Sequence, residues 1–355
     1  MVRTPSLPAS PPPAHTTITP THVGLNSFDM MRAEGYASTL LSRTSPGHTV
    51  SREGVGETPT GRVAFALPIA SDGAFVEMLH APLGCVAPVP EGMDSALAAA
   101  LPYPALTAHA AVHEVLRVGQ GDAVFIAGIS GPVGVLAAQL ALAAGADVVH
   151  GLCSGSSAQD LAGMGILDQD RVVVYAYDDQ DAARAALQAA QGADVILNAS
   201  GVNEEVYTGA LAKGNGVRAR HGNLNRAYAT LNGPLVRFTD ELGLVAGGAL
   251  GALDLLRAKA SARAAGFSYD WVLYHPSGNV LSSLLRSVAD GHLSPLPPKL
   301  FSIDGSSPIG GDEHDEGDGP TAGERAMLDA VVDAWTSFPS VKASKPVLHI
   351  QSWPI

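Results

Sequence analysis

Gly128, Gly131 and Gly134 recur every third residue in the run AGISGPVG (127–134), which joins a short apolar segment, DAVFIA (122–127), to an Ala-rich helical segment (133–144). Small residues at such a strand-to-helix turn let the backbone approach a pyrophosphate. The free N–H groups and dipole of the following helix favour the phosphate charge. Pro132 suits the first turn of that helix, where its missing N–H costs nothing. The first glycine of the familiar G-x-G-x-x-G pattern falls on Ile129, so the strand–turn–helix context carries the assignment and the pattern alone does not. A glycine turn that holds no ligand is the bland alternative.

The next apolar strand ends in HGLCSGSS (150–157). A site for NAD usually places Asp or Glu here to bind the ribose 2′-hydroxyl. None is present, and the small hydroxyl residues leave room for a 2′-phosphate, which favours NADP; yet no Lys or Arg stands beside them to pair with it. The alternative is a polar loop that only caps the next helix. Neither Cys85 nor Cys153 has a base near it in sequence, and two cysteines make neither a disulfide framework nor a four-cysteine zinc site. Twelve histidines are scattered without ligand spacing. His314, in DEHDEGD, reads as part of a solvated loop.

The elements that must position these groups follow from composition and periodicity. The 355 residues exceed one ordinary domain, and 46% hydrophobic content supports extensive cores. A net charge of −13 argues against a general nucleic-acid or anionic-membrane binder. No apolar run approaches the roughly 20 residues that span a bilayer. Residues 1–14 are Pro- and Ser-rich without an apolar core, and read as a disordered tail. Residues 15–105 hold short apolar runs among many Gly and Pro, which indicates an irregular, mostly β domain. A helix begins near Asp94, with Pro102 and Pro104 expected to break its run in two. From residue 121 apolar strands alternate with amphipathic helices, the pattern of a doubly wound parallel sheet. Its strands are expected at 122–127, ADVVHGLC (146–153), RVVVYA (171–176), ADVILNAS (193–200), GVRARHG (216–222) and FSYDWVLYH (267–275). Residues 241–264 read as a long helix, and KPVLHI (345–350) as a strand returning to the first domain. Asp304–Glu324 carries seven acidic residues and no Lys or Arg, and its stretch 311–319 is expected to be mobile and dispensable.

In this order the segments resemble the medium-chain dehydrogenase/reductase superfamily, in its zinc-independent quinone oxidoreductase and enoyl reductase branch. The likeness runs over about residues 15–350 and rests on VGLNSFDMMRAEGY, GRVAFALP, DGAFVEMLHAP, AAALPYPALTAHAAV, AGISGPVGVLAAQLALAAGADVV, RVVVY, DVILNASG and KPVLHI. It implies a mixed α/β fold: a GroES-like catalytic domain (15–105 and 335–355), shortened at its start, and a Rossmann NADP-binding domain (106–334) that carries the acidic loop 304–324.

The resemblance also implies roles. Gly128, Ser130, Gly131, Pro132, Val133 and Gly134 would hold the pyrophosphate; Ser154 and Tyr175 would flank the adenosine end and its 2′-phosphate. Asn198, Ala199 and Ser200, with Thr107, would lie near the nicotinamide ribose, and Gly222 and Asn223 would form the next lining loop. Asn26 and Tyr36 would face the substrate, Tyr36 as proton donor; a packing tyrosine and a turn-forming asparagine are the alternatives. Gln159 stands where NADP-binding relatives often have Lys, and Tyr103 where a small aliphatic residue is usual. Zinc-dependent members need a Gly-His-Glu, of which only Gly47 and His48 remain, so no metal is expected. The implied activity is NADPH-dependent reduction of an activated C=C bond or a quinone by a cytoplasmic homodimer. A cyclase, an isomerase or a protein that merely binds NADP on the same scaffold is the alternative.

Overall fold

The computed structural model describes residues 10–33, 37–39, 50–69, 71, 73–214, 226–231, 233, 235–303 and 344–350. Tyr36, His48, Gly222, Asn223, His314 and the whole acidic stretch 304–324 lie outside the described residues.

The chain starts by building a mostly antiparallel sheet. Its members are β1 (His15–Gly24), β2 (Glu53–Thr58), β3 (Gly61–Ala66), β4 (Leu79–Pro82) and β5 (Val86–Pro88). Residues 10–14, read from sequence as tail, make a turn into β1: His15 N–H donates to Pro12 O, and Ala14 O accepts from Leu83 N–H. A short helix, α1 (Ser27–Ala33), follows β1. Asp94 caps α2 (Ser95–Ala99) by accepting from Leu97 N–H at 2.8 Å. Pro102 then opens α3 (Pro102–His109), which a π-helical turn continues through Val115. Pro104 breaks nothing, because it falls in the first turn, where its missing N–H removes no helical bond.

The second sheet is parallel. It contains β6 (Ala123–Ala127), β7 (Val148–Cys153), β8 (Val172–Ala176), β9 (Val195–Asn198), β10 (Arg226–Thr230) and β11 (Phe267–Trp271), in the order β11-β10-β9-β6-β7-β8. That is the doubly wound dinucleotide-binding order, in which the topology reverses between β6 and β9. Its helices are α4 (Pro132–Ala143), α5 (Gly155–Met164), α6 (Gln180–Gly192), α7 (Glu204–Lys213) and α8 (Leu235–Ala264), the last kinked at Gly243. β6 and β9 are buried on both faces, as apolar strands covered by helices must be. No helix among the described residues is long and apolar enough to cross a membrane.

The fifth strand of this sheet among the described residues is Arg226–Thr230, and the loop at its C-terminal edge includes Leu231 and Gly233. The strand expected at 216–222 lies outside the described residues, as do Gly222 and Asn223. Residues 298–303, expected within the cofactor domain, join the first sheet. After α9 (Gly278–Ala289), β12 (Pro298–Ile303) pairs in parallel with β13 (Lys345–Ile350), which pairs antiparallel with β1. The first sheet thus reads β12-β13-β1-β2-β3-β5, with β4 also on β1. One continuous core joins Val55 and Ala64 of the first sheet, through α2 and α3, to Val124 and Ile126 of the second. Packing of this kind sets the width of the space between the sheets.

Candidate active site

A cavity of about 620 Å³ opens between the C-terminal edge of the parallel sheet and the first sheet. The β6–α4 turn forms one wall. Gly128 has φ +82, and a Cβ there would press on Ser200 N at 3.0 Å. A Cβ on Gly134 would overlap Gly128 O and lie 2.7 Å from Ile129 Cα. These two glycines let the turn close on itself and on the β9 loop. Gly131 differs: its nearest neighbour would be Gly128 O at 3.5 Å, so its Cα faces open space. It is also the N-cap of α4, with no side chain over the free N–H groups. Ser130, Gly131, Pro132 and Val133 all line the cavity. An uncovered helix N-terminus with room in front of it fits a pyrophosphate. The substitution of the first pattern glycine by Ile129 has a structural answer: Ile129 is fully buried and fills the notch left by Gly151, whose Cβ would lie 2.6 Å from Ile129 Cγ2.

Ser154 caps α5 by accepting from Ser157 N–H and donates to Ser157 Oγ at 2.9 Å; Ser157 itself reaches the cavity wall. Tyr175 is turned away from this end: its hydroxyl lies 3.2 Å from His150 Nδ1, the two rings stack, and it does not line the cavity. The tyrosine at the edge of β8 is Tyr177, exposed, with its N–H on Cys153 O at 2.9 Å. Burial pushes the Cys153 thiol up to about 11, partly countered by a hydrogen bond with Ser130, and burial also raises Cys85. Both thiols stay protonated and are poor nucleophiles.

Asn198 ends β9 wholly buried. Its Nδ2 donates to Val202 O and Tyr228 Oη, each at 3.0 Å, and its Oδ1 accepts from Ser200 Oγ and Gly201 N–H. It thereby shapes the loop whose Ala199 and Ser200 line the cavity. Thr107 also lines it, with its hydroxyl donating to Tyr103 O at 2.8 Å. The far wall holds groups that no spacing in the sequence signals. Trp271 lies flat against Gly233, and Tyr274 stacks on Tyr103 with ring centroids 4.4 Å apart.

The floor is the least expected part. Asn26 lines the cavity, and its amide is held between two buried charges. Asn26 Nδ2 donates to Glu53 Oε1 at 2.7 Å, and Asn26 Oδ1 accepts from Lys345 Nζ. Lys345 and Glu53 are also ion-paired, and Glu53 Oε2 accepts Tyr103 N–H at 2.7 Å. An ammonium can only donate and a carboxylate can only accept, so the amide has one orientation. Gly24 makes this possible, because a Cβ there would meet Glu53 Oε1 at 2.7 Å. Among the described residues no three His, Cys, Asp or Glu converge as metal ligands.

No family model matches the chain. Curated relatives do. The pikromycin polyketide synthase component PikAII of Streptomyces venezuelae is 34% identical over 179 residues, which is 49% of this chain and 5% of that much longer protein. The mitochondrial NAD(P)H oxidoreductase RTN4IP1 of Danio rerio is 26% identical over 79% of this chain and 75% of its own length. Among solved structures, the quinone oxidoreductase from Coxiella burnetii superposes with a TM-score of 0.68 at 17% identity, over 97% of this chain and 93% of its own. The CurK enoyl reductase does so with a TM-score of 0.67 at 19% identity, over 98% and 94%.

Proposed function

We propose that the chain, whose fold is that of quinone oxidoreductases and enoyl reductases, is a medium-chain dehydrogenase/reductase that reduces an activated C=C bond or a quinone with a hydride from a nicotinamide coenzyme. The single observation that carries this reading is the cavity itself: an open helix N-terminus on one wall faces a fixed set of hydrogen-bond donors on the floor. Ser130, Gly131, Pro132 and Val133 would hold the pyrophosphate, and Thr107, Ala199 and Ser200 the nicotinamide end. When bound, that group supplies the hydride.

The rest falls to the chain's own residues. Hydride arriving at the β-carbon of an enone moves the electron pair of the C=C bond into an enolate, whose charge rests on oxygen. A quinone likewise becomes a hydroquinone anion. Asn26 has a second Nδ2 hydrogen beyond the one given to Glu53, and Lys345 has a third beyond those given to Glu53 and Asn26. Donors fixed in place before the charge develops stabilise it without reorganisation. A proton then completes the saturated carbonyl or the hydroquinone, and Tyr36 is proposed to deliver or relay it. NADPH is the coenzyme favoured by the acid-free end of β7. A small-molecule substrate, a homodimer and a cytoplasmic location complete the proposal.

The test is coenzyme oxidation against a panel of quinones, enones and enoyl thioesters. Tyr36→Phe should lower turnover by about 10²–10³ without changing coenzyme affinity. Wild-type turnover by that variant would remove Tyr36 from the mechanism. Rearrangement of a substrate with no coenzyme consumed would favour a non-redox cyclase or isomerase instead.

A further inference from the structure

Phe28, Trp271 and Tyr103 put aromatic rings into the cavity lining, and each is held by a protein neighbour. The Arg52 guanidinium lies over the Phe28 ring, 5.3 Å from its centre, and is itself fixed by Ile69 O and Asp29. Trp271 lies against Gly233, where any side chain would overlap the indole. Its Nε1–H donates to Tyr269 Oη, whose own proton goes to Glu204 Oε1 at 2.8 Å. Tyr103 stacks on buried Tyr274, whose hydroxyl donates to Leu67 O. The Tyr103 backbone is fixed as well: its N–H donates to Glu53 Oε2, its carbonyl accepts from Thr107, and a proline stands on either side. The other oxygen of Glu53 holds the Asn26 amide. One buried carboxylate thus sets the spacing between the donor that meets a carbonyl and an aromatic residue of the wall.

We infer, on the reading that this cavity takes a carbonyl acceptor, that Tyr103, backed by Tyr274, is a specificity-determining residue: it selects acceptors whose C=C bond is conjugated to a flat ring over those that carry a flexible chain. Tyr103 shares a carboxylate with Asn26, so a ligand whose oxygen reaches the Asn26 amide brings its conjugated body alongside that ring. Aromatic side chains present electron-rich faces, whereas a ring conjugated to a carbonyl is electron-poor, so the two attract when stacked with an offset. A flat conjugated ligand has few rotors to freeze, and a linear chain loses rotamer freedom on binding. The wall does not adapt to such a chain, because its three rings are already locked by Arg52, Tyr274 and Tyr269.

The experiment compares benzylideneacetone with dec-3-en-2-one. Both are methyl enones of equal carbon number, and they differ only in whether a phenyl ring or a hexyl chain follows the C=C bond. Each is titrated by calorimetry into wild-type protein, Tyr103→Phe and Tyr103→Leu, with oxidised coenzyme present so that nothing is reduced. Wild type should bind the ring ligand about fivefold more tightly, and Tyr103→Phe should keep that ratio. Tyr103→Leu should bring it to about one by weakening the ring ligand. Should Tyr103→Leu fail to fold, Tyr274→Leu withdraws the backing ring and should lower the same ratio. No preference in wild type, no binding of either enone, or a Tyr103→Leu that moves both ligands equally would overturn the inference. So would a Tyr103→Leu that weakens the coenzyme and spares both enones, since the ring would then serve the nicotinamide. If the ratio and its loss are found but reduced coenzyme is never oxidised, the proposed reaction fails and the subsite stands. If both enones are reduced with the same kcat/KM, the reaction stands and the role of Tyr103 falls.

Discussion

Lys345 Nζ and Glu53 Oε1 lie 2.7 Å apart with both side chains almost wholly out of solvent, 2% and 0% exposed. One comes from β13 and the other from β2, residues separated by most of the chain. Their partners extend the link: Asn26 after β1, and the Tyr103 N–H in the first turn of α3. A carboxylate on a helix N-terminus is favourable by charge and by hydrogen bonding. The pair thus ties both ends of the first domain to the helix that leads into the cofactor domain.

Breaking that pair should be costly. Glu53→Gln leaves a buried ammonium without its counter-charge, and about 3–5 kcal/mol of stability should be lost in chemical denaturation. The double variant Glu53→Gln/Lys345→Met removes both charges and should recover part of the loss. A single variant as stable as wild type would mean that water reaches the floor and solvates the ammonium.

The three glycines of the β6–α4 turn should not behave alike. Gly134→Ala places a methyl group against backbone that cannot yield, so melting temperature and coenzyme affinity should both fall. Gly131→Ala meets only an ordinary contact and should leave the fold intact. Gly131→Asp should keep the fold yet abolish coenzyme binding, by setting a negative charge before the pyrophosphate. Thermal melts paired with coenzyme titration separate the three outcomes.

Asp240 joins the domains a second time. From α8 its carboxylate accepts Ala37 N–H at 2.6 Å and Thr39 N–H at 3.0 Å, in the segment that directly follows Tyr36. Asp240→Ala should cost about 1–3 kcal/mol through two orphaned donors. Hydrogen exchange at residues 37–39 should quicken. Unchanged exchange there would show that Arg32, whose Nη1 donates to Ala37 O at 2.9 Å, holds the segment by itself.

His22 should make the protein acid-sensitive in a defined window. Burial first, then the stacked ring of His349 at 4.4 Å, lower its pKa from 6.5 to about 4; Asp94 raises it by a smaller amount and Arg62 lowers it slightly further. The folded pKa lies below the unfolded one, so the unfolded chain takes up the proton first as pH falls. The contribution is whole above about pH 6.5 and is lost progressively towards pH 4, a change on the order of 1–3 kcal/mol. His22→Phe keeps a ring for stacking and cannot titrate. Urea denaturation at several pH values should therefore show wild type losing stability relative to the variant across that window, and a constant difference would exclude His22.

By itself the sequence determined the features that depend on neighbours along the chain. The apolar segments 122–127 and 146–153 became β6 and β7 because strands covered on both faces must be continuously apolar. The turn at Gly128–Gly134 and the cap at Asp94 were legible because each uses residues within a few positions of one another. RAYAT was not legible as a strand, because it is short and mixed, and only its neighbours β9 and β11 bring it into the sheet. Tertiary structure alone decided the rest. Glu53 and Lys345 look like ordinary surface charges until β2 and β13 bring them together across a glycine. Asp178 reads as one acid among several until the pairing of β7 with β8 sets it on the N-terminus of α5, where it accepts Gly155 N–H. Charges acquire their roles from dielectric and partners, and both are set by contacts between residues far apart in the chain.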